Sequence, residues 1–380
     1  KGIAVYRSKP RPPLHTIIMK YLLFVVLAVW ALCTTPSKPV ATTTTPPGLQ
    51  SASPVDQNAA RTTFEPVAGK MNGLTFVAPP RQPTEDPMIA VNSIGANWIA
   101  LVPYAFTRLG IPDVRYGTHG QQWWGESPEG VRQCIRMAHA AGLKVMLKPQ
   151  VYIPRSWPGS LDFDSPQDWQ QWEAAYEKYM LPMASLADSA GVDLFCVGTE
   201  FAIAVVKRPD FWHGLIRKVR DRYHGKITYC ATWADYQQTP FWNDVDYIGL
   251  SAYFPLVSNA TPNVDSLRQA WRPIREQLRA CSEQYQKPIL FTEFGYLSVD
   301  SAGWRNWELE DGIEERTINQ LAQANCLEAL FSTFQAEPWW AGGFLWKWFP
   351  NMQGHEGYPE RDYTPQGKLG EGVLRKWYGK

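Results

Sequence analysis

The chain has 380 residues, and its 37 Lys and Arg against 36 Asp and Glu give a formal charge of +1. This balance gives no electrostatic reason to expect a nucleic acid or an anionic membrane as partner. Six cysteines without a CxxC pair or a nearby histidine cluster disfavour a disulfide framework and a zinc site. We therefore expect neither a metal nor another cofactor.

Residues 1–33 are predicted to be a signal or targeting segment. The uncharged apolar run at 21–32 is too short for a membrane-spanning helix, which needs about 20 residues, and suits the hydrophobic region of a secretory signal. Cys33 follows at once, where a bacterial lipoprotein carries its acylated cysteine, but Trp30-Ala31-Leu32 matches poorly the small residues expected before it. A lipid anchor at Cys33 stays open, and we expect a secreted, periplasmic or cell-surface protein.

The next segment, 34–66, is rich in Thr, Pro and Ser and is predicted to be a linker, because it cannot bury a core. The remainder, 67–380, is long enough for one large domain.

Eight short apolar or β-prone runs, separated by amphipathic helical stretches, follow one another in that domain. Near-continuous apolar runs are typical of strands buried on both faces, and strand–helix alternation repeated eight times predicts an α/β fold, the (β/α)8 TIM barrel. A doubly wound open sheet is the alternative, but no GxGxxG follows the first run. The runs are 74–79, 97–104, 143–153, 192–200, 226–233, 245–253, 288–296 and 342–349.

The carboxyl ends of barrel strands form the mouth in which active sites lie. The residues that end the predicted strands should therefore meet there. They are Tyr104, Lys148, Gln150, Glu200, Trp233, Asp235, Tyr253, Glu293, Trp346 and Lys347.

Two of these residues, Glu200 and Glu293, suggest a reaction. A carboxylate at the end of a buried strand is costly to desolvate and is usually kept for chemistry; the alternative is a pair of rim carboxylates in salt bridges. Glu200 ends the fourth predicted strand and Glu293 the seventh. Retaining glycoside hydrolysis needs two such groups, about 5–5.5 Å apart.

Aromatic residues are abundant, with 18 Trp and 17 Tyr. At strand ends they indicate stacking surfaces for a ligand with apolar faces, such as a pyranose. The segment YGTHGQQWWGE after the second run places His119, Trp123, Trp124 and Glu126 together and could form a binding subsite; an ordinary loop packed on the rim is the alternative.

The chain resembles the glycoside hydrolase clan A superfamily and, within it, glycoside hydrolase family 113. The resemblance covers about residues 70–378, and VGTEF together with ILFTEFGY makes it specific. The other matching pieces are GANWIALVPYAF, EGVRQCIRMAHAAGLKVMLKPQV, DYIGLSAYFPL, GGFLWKW and YTPQGK.

The resemblance implies a retaining β-mannanase-like enzyme. Glu200 corresponds to the acid/base, Glu293 to the nucleophile, Tyr253 to the tyrosine that hydrogen-bonds the nucleophile, and Trp346 to the platform under the sugar being cleaved. Thr199 stands where much of the clan has an asparagine that contacts the sugar 2-hydroxyl, which makes the choice of sugar less certain.

The arginine common on strand two of the clan is not evident, and Lys148 is the candidate for the missing cation. The alternative is that Lys148 is a lysine whose charge is paired with carboxylates inside the barrel.

Three hypotheses about the function remain. The first is a monomeric hydrolase of β-1,4-mannan whose partner is a polysaccharide or oligosaccharide. The second is the same mechanism on another β-glycan. The third is an inactive carbohydrate-binding surface lipoprotein, against which the paired glutamates and Tyr253 argue.

Overall fold

The structure, a computed structural model, describes residues 69–117, 122–351 and 358–379. Its strands alternate with helices along the chain. In chain order the strands are β1 (Met71–Phe76), β2 (Trp98–Leu101), β3 (Tyr104–Arg108), β4 (Ile111–Arg115), β5 (Lys144–Leu147), β6 (Gln150–Tyr152), β7 (Leu194–Thr199), β8 (Lys226–Thr232), β9 (Tyr247–Ser251), β10 (Ile289–Phe294) and β11 (Trp340–Trp348).

Eight of these strands are parallel and close into a barrel in the order β1, β2, β5, β7, β8, β9, β10, β11, with β11 beside β1. Each of the eight predicted runs supplies one barrel strand. The prediction of a (β/α)8 barrel is therefore confirmed.

The prediction of a single strand in the second run and in the third run was wrong, because each of these runs contains two strands. Barrel strands β2 and β5 stop just before Pro103 and Pro149, and the following residues, Tyr104 and Gln150, pair in a small separate sheet of order β4-β3-β6. Proline lacks an N–H and restricts the residue before it, which explains the break in both runs. Tyr104 and Gln150 thus begin strands beside the mouth and do not end barrel strands.

Four of the helices in the described part of the chain begin at a residue whose side chain caps them. Ser127 and Ser165 each accept a hydrogen bond from a backbone N–H in the first turn of the helix that follows, and proline occupies the first position of both helices. The helices are α1 (Met88–Ser93), α2 (Pro128–Ala140), α3 (Pro166–Ser189), α4 (Ala202–Lys207), α5 (Pro209–Arg220), α6 (Val264–Tyr285), α7 (Asn306–Leu309), α8 (Gln320–Phe334) and α9 (Leu369–Tyr378).

The two main parts of the core lie on opposite faces of the barrel strands, because neighbouring residues of a strand point to opposite faces. Trp98 and Ala100 belong to a small cluster with Phe344, whereas Ile99 and Leu101 belong to the large cluster that includes the helices. Side chains fill the interior of barrels of this kind, and the small cluster is that interior. It is tightly filled, since a Cβ on Gly73 of β1 would lie 2.4 Å from the Phe344 ring.

Among the described residues, no helix is long and apolar enough to cross a bilayer. The predicted signal segment 1–33 with Cys33, the predicted linker 34–66 and the first two residues of the predicted domain lie outside the described residues.

Candidate active site

Glu200 follows the last residue of β7 in the left-handed backbone region, with φ of 59°. That conformation costs a residue other than glycine about 1–3 kcal/mol and is found mainly at functional sites. The backbone N–H of Glu200 donates to the Cys230 carbonyl of β8 at 2.7 Å, so the residue stays anchored to the barrel while the chain turns into α4. The fold therefore holds this carboxyl group at the barrel mouth.

The surroundings of Glu200 favour its protonated form. Burial, and then the negative charge of Glu293, raise the pKa of Glu200 above its usual value. Hydrogen bonds from Ser251 and Trp157 and the charge of Lys148 lower this pKa, but they offset the rise only in part. The Trp157 indole donates to Oε2 of Glu200 at 2.7 Å. A carboxyl group whose pKa is raised keeps its proton to higher pH, which suits a general acid.

Glu293 lies within β10 and is 9% exposed. Tyr253 donates its hydroxyl to Oε1 at 2.7 Å, and the Lys148 ammonium donates to Oε2 at 2.5 Å. Burial, and then the charge of Glu293, raise the pKa of Tyr253 well above its usual value, so the phenol keeps the proton that it donates. Both oxygens of Glu293 are thus held, and the carboxylate has a fixed orientation.

Lys148 is fully buried beneath this carboxylate. Burial alone lowers its pKa, but the charge of Glu293, followed by the thiols of Cys230 and Cys196, outweighs burial, and the pKa of Lys148 is raised. The ammonium is therefore charged and forms a buried ion pair with Glu293. This contact agrees with the interpretation of Lys148 as a lysine satisfied by a carboxylate; its burial does not favour the predicted direct contact with a sugar.

A cavity of about 500 Å³ opens beside these residues. Trp346, which lies 6.0 Å from the Lys148 ammonium by its ring centroid, forms one wall, whereas neither Glu200 nor Glu293 lines the cavity. Glu126 also lines it, and burial raises the pKa of Glu126 to about 7. The lining residues are Thr75, Phe76, Val77, Ala78, Val102, Tyr104, Phe106, Trp123, Glu126, Tyr152, Trp346 and Lys347.

The remaining predicted binding residues occupy different environments. Thr199 is 1% exposed, which does not favour direct contact of its hydroxyl with a sugar. Gln150 is half-buried, and its side-chain oxygen has no hydrogen-bond partner in the described part of the chain. Trp233 stacks on Trp307, with ring centroids 5.7 Å apart.

The segment after the second run is only partly described. His119 lies outside the described residues. Trp124 is absent from the cavity lining and packs partly buried against the large core, whereas Trp123 and Glu126 line the cavity. The prediction of a subsite in this segment thus remains, but with Trp123 and Glu126 in the place of Trp124.

Three contributors were not selected from the sequence. Trp157 and Ser251 hydrogen-bond Glu200, and Trp307 stacks on Trp233. Trp157 and Trp307 are each more than 40% exposed, at 42% and 43%. Isolated tryptophans in polar loop segments were the signal that could have marked them.

Within the described ranges, no group of three or more His, Cys, Asp or Glu side chains could hold a metal ion, and all five cysteines are free and buried. The mouth instead brings together a carboxyl group in surroundings that favour its proton and a second carboxylate held by two donors. A (β/α)8 barrel with two such groups and an aromatic cavity defines the class of (β/α)8-barrel glycoside hydrolases.

Comparison with known families agrees with this class. Residues 81–368 match the model of Glycoside Hydrolase Family 113, and the chain belongs to that family. It is accordingly a hydrolase that acts on O-glycosyl bonds. Among curated proteins, none is significantly similar to it in sequence.

Solved structures of similar shape include other members of the family. The β-mannanase of family 113 from Alicyclobacillus acidocaldarius, in complex with ManMIm, is 28% identical, with a TM-score of 0.71 over 82% of this chain and 98% of that one. A family 113 β-1,4-mannanase is 24% identical, with a TM-score of 0.69 over 82% and 100% of the chains. The β-glucuronidase of Faecalibacterium prausnitzii shares the fold at 15% identity and a TM-score of 0.55, over 83% and 49%.

Proposed function

We propose that this glycoside hydrolase cleaves β-1,4-mannan with retention, with Glu293 as nucleophile and Glu200 as general acid and base. The observation that carries the assignment is the contrast between the two carboxyl groups. Both oxygens of Glu293 accept hydrogen bonds, from Tyr253 and Lys148, whereas burial and the charge of Glu293 raise the pKa of Glu200. One group is built to attack and the other to carry a proton.

In the first step, the Glu293 carboxylate attacks the anomeric carbon while Glu200 gives its proton to the glycosidic oxygen, which leaves as an alcohol. The product is a covalent glycosyl-enzyme. In the second step, Glu200 takes a proton from water, the hydroxide attacks the anomeric carbon, and Glu293 is released as a carboxylate. Glu200 is then protonated again, ready for another cycle.

The choice of mannan rests on family membership and on the β-mannanase that is 28% identical to this chain. Trp346, which lines the cavity beside Lys148, provides an aromatic face for a pyranose. Thr199, in place of the more usual asparagine, keeps other β-glycans as alternative substrates. We also infer action outside the cytoplasm, since a polymer is a substrate met there and 1–33 suits a secretory signal.

The test is the release of reducing sugar from β-mannan, β-glucan, β-galactan and chitosan, with Glu293→Ala as blank and the exposed Glu129→Gln as matched control. We expect release from mannan by the wild-type protein and by Glu129→Gln, and none by Glu293→Ala. Release from a different β-glycan alone would replace the substrate but keep the mechanism. Binding of mannan without release from any polymer would favour the carbohydrate-binding protein.

Removal of each glutamate should have a different effect on activity. Glu293→Ala should abolish activity on mannan and on an activated aryl mannoside alike, because the first step needs the nucleophile. Glu200→Ala should lose far more activity on mannan than on the aryl mannoside, whose leaving group needs no proton. Added azide should restore Glu200→Ala on the aryl mannoside, since azide attacks the glycosyl-enzyme without a general base. Equal losses without rescue by azide would contradict the two roles.

A further inference from the structure

The Glu126 carboxyl is mostly buried and has no partner among the residues that the structure describes. The residue is 7% exposed, and its side-chain oxygens make no hydrogen bond or ion pair with any described residue. Burying a carboxyl group in this way is costly, because most of its hydration is lost and no described residue replaces it. Such a cost is tolerated mainly where a ligand supplies the missing partners.

The backbone around Glu126 is fixed in several places. Tyr116 donates its hydroxyl to the Glu126 carbonyl at 2.7 Å, and the N–H of Gly125 donates to the Pro79 carbonyl at 2.9 Å. Ser127, the next residue, caps α2. The side chain of Glu126 is therefore presented from a rigid turn and not from a freely moving loop.

The cavity that receives this carboxyl has the composition of a sugar site. Its walls include Tyr104, Phe106, Trp123, Tyr152 and Trp346, and its volume of about 500 Å³ is within the usual range for ligand pockets. Aromatic faces stack on the C–H face of a pyranose, and a carboxyl group accepts hydrogen bonds from its hydroxyls.

Position in the barrel decides which part of the substrate enters. The cavity lies at the ends of β1, β2 and β11, and in the closed order of strands these are opposite β7 and β8, where Glu200 and Trp233 lie. Glu200 protonates the leaving group, so the leaving side of the substrate is on the β7 and β8 side. The cavity is therefore on the non-reducing side of the cleaved bond.

We propose that Glu126 is a specificity-determining residue of a second sugar subsite, which binds the hexosyl unit next to the one on Trp346, on the non-reducing side. This inference rests on the proposed function. The carboxyl of Glu126 binds hydroxyl groups of that unit, so substrates with two glycosyl units are cleaved in preference to substrates with one.

The test compares an aryl β-mannobioside, which fills both subsites, with an aryl β-mannoside, which fills one. The measured quantity is the ratio of kcat/KM for the first to kcat/KM for the second. This ratio should fall about tenfold or more in Glu126→Gln, because one of the two acceptor oxygens is replaced by an NH2 group that cannot accept a hydrogen bond. It should keep its wild-type value in Glu129→Gln, whose altered side chain is exposed in the first turn of α2.

A second variant protects the test against misfolding of Glu126→Gln. Tyr152 is 49% exposed and lines the same cavity, so Tyr152→Ala should fold and should also lower the ratio. An unchanged ratio in both variants would overturn the proposal, as would equal kcat/KM values of the wild-type protein for the two substrates; the proposed function would survive either result.

If the panel of polymers identifies another sugar, the two aryl glycosides are made from that sugar. The same ratio of kcat/KM values then tests the role of Glu126. If the protein cleaves no β-glycan, the proposed function fails separately. Calorimetric titration with mannotriose then decides on the subsite: binding that Glu126→Gln weakens supports it, and no weakening contradicts it.

Discussion

Glu200 and Glu293 are the same residue type in different surroundings, and the difference comes from their neighbours. Glu293 accepts hydrogen bonds from Tyr253 and Lys148, which lie just after β9 and β5, whereas Glu200 accepts one from the indole of Trp157. The two glutamates were predictable, because strand ends in a barrel are recognisable in the sequence. The contacts of Trp157 and Ser251 with Glu200 were not predictable, since they depend on which loop and which strand face Glu200.

Tyr253→Phe removes one of the two donors to Glu293. We expect turnover to fall about 10- to 100-fold, because a hydrogen bond to a charged group contributes about 1.5–3 kcal/mol. Tyr363→Phe is the matched control: Tyr363 packs edge-on against Tyr253, but its hydroxyl donates to Glu310. Steady-state kinetics would count against the role of Tyr253 if both variants lost activity equally.

Glu126 should make stability depend on pH. Burial raises its pKa from 4.5 to about 7, so the folded protein holds this proton more tightly than the unfolded chain, and stability falls as pH rises through that window. Glu126→Gln does not titrate there. The free energy of unfolding in urea should therefore rise in Glu126→Gln relative to the wild-type protein by about 2 kcal/mol from pH 5 to pH 8. This figure allows for screening in the open cavity.

The same comparison with Glu129→Gln, an exposed glutamate, should show no such gain. A gap between Glu126→Gln and wild-type protein that is constant from pH 5 to pH 8 would mean that Glu126 has an ordinary pKa in the folded state.

At the scale of elements, the breaks at Pro103 and Pro149 explain what the sequence could and could not predict. The apolar runs predict the barrel strands, because burial on both faces produces a continuous pattern. The pairing of β3 with β6 depends on two prolines lying side by side in neighbouring strands, which a single run does not reveal. The hairpin of β3 and β4 turns at Gly110, whose φ is 73°.

The short turn Pro158–Ser160 positions the donor to Glu200. A Cβ on Gly159 would lie 2.0 Å from the Trp157 ring, so Gly159→Ala must displace the indole. The Trp157 hydrogen bond lowers the pKa of Glu200, and its loss should raise that pKa further. We expect the alkaline limb of the pH–rate profile to move to higher pH, because the proposed role of Glu200 in the first step is that of an acid.

Trp157→Phe removes the same donor directly and should move the limb in the same direction. Profiles that stay in place in both variants would show that Trp157 does not tune Glu200. A shift in Gly159→Ala alone would assign the effect to the turn and not to the indole.

At the scale of the whole molecule, the barrel converts distant sequence positions into one mouth. Glu200 follows the last residue of β7, and Glu293 is the last residue but one of β10. The closed order of strands turns both strand ends toward the same opening. The fold and the position of Glu200 and Glu293 at the barrel mouth could thus be predicted from the sequence. The cavity beside Trp346 was predictable only in part, because residues of β1, β3, β6 and β11 contribute to it together with Val102, which follows β2. The carboxyl separation of about 5–5.5 Å stays a prediction.

The account depends most on the covalent step, and trapping that intermediate tests it most directly. A 2-deoxy-2-fluoro-β-mannosyl fluoride should react, because fluoride leaves without a proton, and the product should persist, because the 2-fluorine slows its hydrolysis by destabilising the positively charged transition state. After protease digestion, mass spectrometry should find one fluoromannosyl group on the peptide that contains Glu293. The group on Glu200, or no adduct while the wild-type protein still cleaves mannan, would contradict the assignment.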